Sequence, residues 1–309
     1  MVGRHWWTPW LWLSPALAIL GVYLLYPTVD TVRRSFLDQR SQSWVGLDNY
    51  RFIIDNPQAL VADTHAALLN NAFWIVLFTT ITVSLGLLFA VLSGRVRYEP
   101  IAKAGVFIPM AISFVAAAVI WRFMFEFNSD IGTFNAALGV VGIEPTAWLQ
   151  DTGSPQTWLT DLGPNELPGP FQINNFALIG IGVWMWTGFA MVILSAGLKG
   201  ISTEVIEAAR VDGASEWQIF TRIILPLLSP TIAVVATTLV IFALKMFDLV
   251  WVTTGGRFGT DVVATLYFRE AFRFRDFGVG AALAVVLLVT IVPLMLVSIR
   301  RFQFQEELR

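Results

Sequence analysis

The chain has 309 residues, of which 56% are hydrophobic and only 14% are charged, with a net charge of −2. Soluble domains carry about a quarter charged residues, so the composition excludes an ordinary soluble protein and indicates one embedded in a membrane. The lack of cysteine excludes disulfides and thiolate metal sites, and the sequence has no dense basic run that would favour nucleic acid.

Six apolar stretches are each about long enough to cross a bilayer as a helix, which needs ~20 residues. Backbone groups in lipid require partners within their own segment, and the alternating runs of ~10 residues typical of membrane strands are missing. The sequence therefore predicts an all-α membrane protein. Its six transmembrane helices should cover about residues 6–29, 72–94, 104–125, 174–198, 228–250 and 277–299.

The first apolar stretch, 6–29, has two interpretations. It could be a secretory signal, but its apolar run is longer than the core of a usual signal peptide, which favours an uncleaved first span. An even number of spans places both termini on one side of the membrane. The short connection after the second span carries Arg95, Arg97 and Lys103, and this local excess of positive charge favours cytoplasmic termini.

The connections between spans carry some structure of their own. Residues 44–56 can form a short amphipathic helix, and the uncharged segment 131–143 is too short to span, which suggests an interfacial or loop helix. The extracytoplasmic loop 126–173 is either a solvated loop or a docking surface for an extracytoplasmic partner. Pro109 and Pro293 lie within apolar stretches and should kink their helices.

The segment 199–227 between the fourth and fifth spans is amphipathic and charged. Apolar residues recur at helical spacing at Ile201, Val205, Ala208 and Ala209. Gly213 should end this first short helix. Ser215, followed three positions later by Gln218, is the pattern of a capping box at the start of a second helix, which Pro226 should end.

This helix pair could rest on lipid headgroups or dock against another protein. Interfacial helices favour lysine and arginine on their polar face. Here the acidic residues outnumber the basic ones, because Glu204, Glu207, Asp212 and Glu216 stand against Lys199, Arg210 and Arg222. The charge balance therefore favours a protein partner.

The same segment carries a motif of the form E-A-A, three residues, G, nine residues, I-x-L-P. It reads Glu207, Ala208, Ala209, then Gly213, then Ile223, Ile224, Leu225 and Pro226. This pattern resembles the EAA loop of permease subunits in binding-protein-dependent ABC importers. "YPTVDTVRRSF", "VGLDNY" and "FDLVWVTTGG" resemble the carbohydrate-type, maltose-like permeases, and "FGTDVVATLYF" resembles their α-glucoside branch.

The resemblance implies a type I ABC importer permease fold with the EAA loop as a cytoplasmic coupling segment. It implies a second permease subunit in a heterodimer, two ATPase subunits that use ATP and Mg, and an extracytoplasmic sugar-binding protein. The chain itself would bind no cofactor, metal or nucleic acid, and would lie in the cytoplasmic (inner) membrane of a prokaryote with both termini cytoplasmic. The implied ATPase-coupling residues are Glu207, Ala208, Ala209, Asp212, Gly213, Ile223, Leu225 and Pro226.

The spans on either side of the coupling segment hold candidates for the solute path. By their distance from the EAA loop, they resemble positions that line the sugar site of such permeases, although ordinary helix packing would give a similar pattern. The candidates are Gly182, Met185, Trp186 and Phe189 on one face and Thr238, Phe242 and Lys245 on another. Lys245 and Asp248 should form an i,i+3 ion pair on one helix at the membrane edge, or serve in gating.

The sequence distinguishes between three classes of function. The resemblance favours an importer of an α-glucoside such as trehalose, maltose or sucrose, with a glycosyl-polyol or a sugar phosphate as alternatives. A self-sufficient secondary transporter would be expected to have paired intramembrane charges or half-helices at the midplane, and often internal repeats, which the sequence does not show. A membrane enzyme is disfavoured because His5 and His65 are isolated and no catalytic cluster or phosphate-binding loop is present.

Overall fold

A computed structural model describes residues 7–55, 59–94, 96–150 and 172–307, and these residues are predominantly helical. Leu37 and Trp44 form an isolated antiparallel bridge. The all-α class predicted from the sequence is therefore confirmed. The helices are α1 (Thr8–Arg34), α2 (Asp48–Asp55), α3 (Ala59–Phe73, then a π-helical turn Trp74–Phe78, then Thr79–Ser93), α4 (Glu99–Ala111), α5 (Phe114–Met124), α6 (Thr133–Val140), α7 (Ile173–Lys199), α8 (Thr203–Val211), α9 (Glu216–Leu244), α10 (Asp248–Thr253), α11 (Val263–Phe268) and α12 (Phe277–Glu307).

Within the described residues, four helices are long and apolar enough to cross a membrane, namely α1, the Thr64–Ser93 part of α3, α7 and α9. The pair α4 and α5 makes a fifth candidate if its two halves form one broken span. The sixth predicted span lies in α12, whose apolar part among the described residues is the shorter stretch Phe277–Pro293. The count of six spans and their membrane boundaries stay predictions.

The third predicted span, 104–125, is not one straight helix. The chain bends by 96° between α4 and α5. Pro109 lies in a 3₁₀ turn that ends α4, and the Ser113 side chain accepts a hydrogen bond from the Ala116 amide at the start of α5. The kink predicted at Pro109 is thus confirmed, because a residue without an amide hydrogen interrupts the helical ladder and a capping serine restarts it. Pro293 lies inside α12, which continues past it.

Two short helices predicted in the connections are present. The amphipathic segment 44–56 contains α2, and the uncharged segment 131–143 contains α6. Residues 151–171 of the predicted loop 126–173, which include its Pro- and Gly-rich part, lie outside the described residues. Its role as a docking surface stays a prediction.

One compact unit combines residues 1–64 with 266–289. Asn49 anchors α2 in it, because its side-chain amide donates to the carbonyls of Ser35 and Leu37 at 2.9 and 2.7 Å. The Phe277 amide donates to the Gln39 carbonyl at 3.0 Å, which fixes the start of α12 against the same loop.

The other unit combines residues 65–265 with 290–309, and α7 lies at its centre. Two glycine contacts set how closely its neighbours pack. A Cβ at Gly86 of α3 would lie 2.5 Å from Ala190, and a Cβ at Gly188 would lie 2.5 Å from the Val106 carbonyl oxygen of α4. Both α3 and α4 therefore pack backbone-to-backbone against α7, an arrangement typical of membrane helices with small residues at their contacts.

This packing predicts that Gly188→Ala destabilises the protein. The added methyl group would overlap backbone atoms of α4, and overpacking of this kind costs about 1–3 kcal/mol. Gly105→Ala on α4 is the matched control, because a Cβ there meets no atom within 4 Å and alanine favours a helix over glycine by about 1 kcal/mol. Thermal unfolding in detergent should show a lower Tm for Gly188→Ala alone. Equal Tm values for the two variants would contradict this packing.

Candidate coupling surface and solute path

We call residues 199–227 the EAA segment. Its first helix, α8, is capped at both ends by local interactions. The Ser202 hydroxyl accepts from the Glu204 amide at 3.2 Å. At the other end Gly213 has φ +82°, and the amides of Gly213 and Ala214 donate to the carbonyls of Arg210 and Ala209, both at 3.0 Å. These two bonds are the Schellman pattern that closes a helix with a left-handed residue. The helix end predicted at Gly213 is confirmed.

The predicted capping box also forms. The Gln218 amide donates to the Ser215 hydroxyl at 3.3 Å, and the Gln218 side-chain oxygen accepts from the Ser215 amide at 2.8 Å. The Arg210 guanidinium spans the corner and donates to both carboxylate oxygens of Glu216, at 2.7 and 3.3 Å. That hydrogen bond raises the pKa of Arg210. The chain therefore turns between α8 and α9 at a corner where both helix ends are capped and an ion pair joins the two helices.

The predicted end of the second helix at Pro226 is wrong. Helix α9 runs without a break from Glu216 to Leu244, with Pro226 at the start of a regular stretch and Pro230 inside it. A π-helical turn, Phe220–Ile224, immediately precedes the first proline. The wider turn tolerates a residue that has no amide hydrogen to donate. The second helix of the EAA segment and the fifth predicted span are consequently one helix.

The EAA segment presents an exposed apolar face. Val205 is 46% exposed, Val211 86% and Trp217 72%, and Glu207, Ala208, Asp212 and Gly213 are exposed between them. We call these seven residues the EAA surface. Exposed apolar groups clustered with a few charges are typical of a protein-interaction site.

The buried side of α8 differs in part from the predicted stripe. Ile206 and Ala209 are half-buried, whereas Val205 and Ala208 face outward. Ile206 and Ile201 instead line a 310 Å³ groove, whose other apolar walls include Phe220 and Ile224 of the π-helical turn. Ile223 and Leu225 are half-buried at the base of α9, and Pro226 is exposed there. Of the predicted coupling residues, these three and the half-buried Ala209 are not part of the EAA surface.

Three of the predicted solute-path residues form one aromatic cluster. The rings of Trp186 and Phe242 lie 4.3 Å apart, and Trp186 and Phe189 are 5.3 Å apart, measured between centroids. Phe114, the first residue of α5, joins them at 5.1 Å from Phe242. We call these four residues the aromatic cluster. Sequence reasoning did not include Phe114, which is brought there by the bend between α4 and α5.

The other solute-path candidates lie elsewhere. Met185 is fully buried, and a Cβ at Gly182 would lie 3.0 Å from the Trp74 ring, so both positions serve the packing of α7. The Thr238 hydroxyl donates to the Val234 carbonyl of its own helix at 3.0 Å. Lys245 is exposed just beyond the end of α9.

The predicted placement of Lys245 and Asp248 on one helix is wrong. Helix α9 ends at Leu244, and Asp248 begins the separate helix α10. Phe247 between them has φ −137° and ψ −62°, which is not helical. The i,i+3 spacing on a common helix, on which the predicted ion pair depended, is therefore absent.

Three asparagines that sequence reasoning missed fix the loop 254–262. The Asn70 side-chain amide donates to the carbonyls of Gly259 and Asp261, both at 2.7 Å. Asn175 donates to the Asn70 side-chain oxygen at 3.2 Å, and Asn174 donates to the Phe258 carbonyl at 2.7 Å. The signal was the repeated "NN" before two apolar stretches, in "LLNNAF" and "INNFAL", since buried amides require partners.

These features define a membrane transport component rather than an enzyme, and comparison with known proteins gives its family. Residues 82–303 match the family described as the inner membrane component of binding-protein-dependent transport systems, and the chain belongs to this family. Among the described residues no group of three or more histidine, aspartate or glutamate side chains is placed to hold a metal ion.

Two relatives are similar to this chain over nearly its whole length. The osmoprotective compounds uptake permease protein GgtC of Synechocystis sp. is 48% identical over 97% of this chain and 100% of its own length. The alpha-glucoside transport system permease protein AglF of Rhizobium meliloti is 43% identical over 94% of this chain and 81% of its own length.

A solved structure shows the same fold. A chain of a bacterial ABC transporter involved in the import of the acidic polysaccharide alginate matches with a TM-score of 0.76 and 22% identity, covering 95% of this chain and 96% of its own. At this identity the likeness establishes the fold of an ABC importer permease.

The asparagine network predicts that Asn70→Leu loosens the loop 254–262. The carbonyls of Gly259 and Asp261 and the Asn175 amide would lose a partner, and each group left unpaired and buried costs about 1–3 kcal/mol. Arg257 in this loop is exposed, so trypsin cleavage after Arg257 should become faster and Tm should fall. Asn128→Leu, at an exposed asparagine, is the matched control. Unchanged cleavage in Asn70→Leu would mean that the network does not hold the loop.

Proposed function

We propose that this chain is the permease subunit of an ATP-driven importer that carries a sugar or glycoside across the cytoplasmic membrane of a prokaryote. The observation that carries the proposal is the EAA surface, an exposed apolar face on a capped helical corner that continues directly into the spanning helix α9. The family membership and the likeness to sugar-transport permeases support the same function.

The geometry supplies a route for coupling. Helix α9 extends from the corner at Ser215 to Phe242 in the aromatic cluster, and α7 extends from Trp186 in that cluster to Lys199 at the root of the EAA segment. A helix can transmit displacement along its length because backbone hydrogen bonds join its successive turns. Two ATPase subunits that close on ATP and Mg would displace the EAA surface, and both helices would carry that movement to the cluster.

The partners follow from this arrangement. The EAA surface would face the cytoplasm and dock in an ATPase subunit through Ala208, with Glu207 and Asp212 making polar contacts. A second permease subunit would complete the solute path as a heterodimer. An extracytoplasmic binding protein would deliver the solute, which is supported by the solved alginate transporter in complex with a periplasmic protein that carries an alginate pentasaccharide. Both termini of the chain would be cytoplasmic.

The aromatic cluster favours a neutral polyhydroxylated solute. Aromatic faces pack well against the C–H surfaces of a sugar ring, and all four members of the cluster are uncharged, which disfavours a sugar phosphate. An α-glucoside such as trehalose, maltose or sucrose fits the name of the relative AglF. A glycosyl-polyol is the second candidate, because the relative with 48% identity is named for osmoprotective compounds.

The coupling assignment predicts that Glu207→Lys abolishes solute uptake while the chain still inserts and assembles. The reversed charge would meet the ATPase contact made by the exposed carboxylate, so ATP hydrolysis should no longer respond to the loaded binding protein. The assay is uptake and ATP hydrolysis in proteoliposomes that contain the whole transporter. Asp48→Lys, at an exposed carboxylate outside the EAA surface, is the control. Normal uptake by Glu207→Lys would overturn the assignment.

The solute path predicts that Trp186→Ala weakens solute affinity by roughly three- to tenfold, since one aromatic face against a sugar contributes about as much as an aromatic pair. Trp184→Ala is the matched control, because Trp184 lies on the same helix but packs edge-on against Trp121 at 5.4 Å instead of in the aromatic cluster. The concentration dependence of uptake measures the affinity. Equal effects from the two variants would remove Trp186 from the path. Competition by trehalose, sucrose and a glycosyl-polyol in this assay ranks the solutes.

A further inference from the structure

A cluster of ion pairs around Glu99 joins the start of α4 to the end of α7. One Glu99 carboxylate oxygen lies 2.6 Å from the Lys103 ammonium and 2.7 Å from the Lys199 ammonium. The Lys103 ammonium also donates to the hydroxyl of Ser195, one turn before Lys199 on α7. The two helices are therefore linked twice by polar contacts at the same level.

The Glu99–Lys103 pair is more sheltered than most ion pairs of the described residues, whereas the Lys199 side chain is 64% exposed. The side chains of Glu99 and Lys103 are 24% and 19% exposed, whereas Asp48 and Arg51, 3.5 Å apart, are 69% and 72% exposed. Water screens a sheltered pair less than an exposed one, so its attraction is stronger. Because one carboxylate serves two ammonium groups, the loss of Glu99 would leave two positive charges close together.

The cluster lies at the root of the EAA segment. Lys199 is the last residue of α7, and Ser202 caps α8 only three residues later. Glu99 and Lys199 also line the 310 Å³ groove together with Ile201 and Ile206, which lead into and belong to α8. A displacement of the EAA segment would therefore act directly on the residue that Glu99 holds.

The other end of this connection reaches the aromatic cluster. Helix α4 begins at Glu99, packs on α7 where Gly188 meets the Val106 carbonyl, and ends at the 96° bend. Helix α5 then starts at Phe114, whose ring lies 5.1 Å from Phe242 and 6.5 Å from Trp186. The helix that carries Glu99 is thus joined through a single bend to a ring of the cluster.

We infer that Glu99 is a positioning residue that ties the bent pair α4–α5 to the root of the EAA segment, so that movement of this segment shifts Phe114 against Trp186 and Phe242. The inference rests on the proposed coupling role of the EAA surface. It assigns to the third span a share in the transmitted movement, in addition to α7 and α9, which are continuous with the segment.

Charge exchange tests this role. Glu99→Lys and Lys199→Glu each break the pair, and each should raise the ATP hydrolysed per solute imported by about five- to tenfold, which is the lower end of the usual coupling between sites. The double variant Glu99→Lys/Lys199→Glu again places one carboxylate between two ammonium groups, because Lys103 remains. It should return the ratio to within about twofold of the wild type. The ratio is measured in proteoliposomes with the ATPases and the binding protein.

Two further variants keep the test decisive. Glu99→Gln keeps the shape and removes the charge, and should raise the ratio by about two- to fivefold even if the charge reversals fail to fold. Asp48→Asn breaks the exposed pair with Arg51 and should leave the ratio unchanged. In variants of equal Tm, a merely structural ion pair would leave the ATP hydrolysed per solute imported unchanged. Recovery of this ratio in the double variant therefore indicates a positioning role.

The outcomes separate this inference from the proposed function. A wild-type ratio in Glu99→Gln, or no recovery in the folded double variant, overturns the positioning role. If Glu207→Lys uncouples the transporter while Glu99→Gln does not, the coupling surface stands and only the link to the third span fails. Solute uptake by the wild-type chain without any ATPase would reject the proposed function itself.

Discussion

The corner between α8 and α9 is the constraint on which the rest of the structure depends. Gly213, at φ +82°, closes α8, and the reciprocal bonds of Ser215 and Gln218 open α9 one residue after Ala214. Because both helix ends are satisfied within a few residues, the chain can reverse direction at the surface without leaving backbone groups unpaired. In the proposed coupling role, a displacement of α8 would therefore pass into α9 instead of being absorbed by a flexible loop.

The helices α7 and α9 turn this local corner into a long-range connection. Their cytoplasmic ends, in the proposed orientation, meet the EAA segment, and the middle of α7 and the opposite end of α9 bring Trp186 and Phe242 to within 4.3 Å of each other. The three asparagines hold the far end of α7 against the loop 254–262. A helix fixed at one end and loaded at the other moves most near the loaded end. In the proposed mechanism, movement would then be concentrated between the EAA surface and the aromatic cluster.

The sequence predicts best the features that depend on neighbours in the chain. Gly213 and the pair Ser215 and Gln218 fix the corner by local hydrogen bonds, and so their roles could be predicted from spacing alone. The continuity of α9 through Pro226 could not be predicted from the sequence, because it depends on a π-helical turn for which no residue pattern is known. The same holds for Val205, which was placed on the inner stripe of α8, since the groove that selects Ile206 is formed by residues from distant parts of the chain.

The aromatic residues show the same division. A shared helical face correctly grouped Trp186 with Phe189, but it also included Gly182 and Met185, which the packing of Trp74 and its neighbours buries. Phe114 joins the cluster only because Pro109 and Ser113 bend the third span, and Asn70 meets Asn175 from 105 residues away. Contacts of this kind require tertiary structure, whereas the EAA motif is contiguous in the sequence.

The most direct test of this account uses the lack of cysteine in the chain, which allows a single thiol to be introduced at Ala208 on the EAA surface. In sealed vesicles that contain the whole transporter, the account predicts that the Ala208→Cys thiol cross-links to an ATPase subunit. It also predicts labelling by a membrane-impermeant reagent only from the side on which ATP is hydrolysed. Labelling from the opposite side, with no cross-link to the ATPase, would contradict the claim that this surface receives the force for transport.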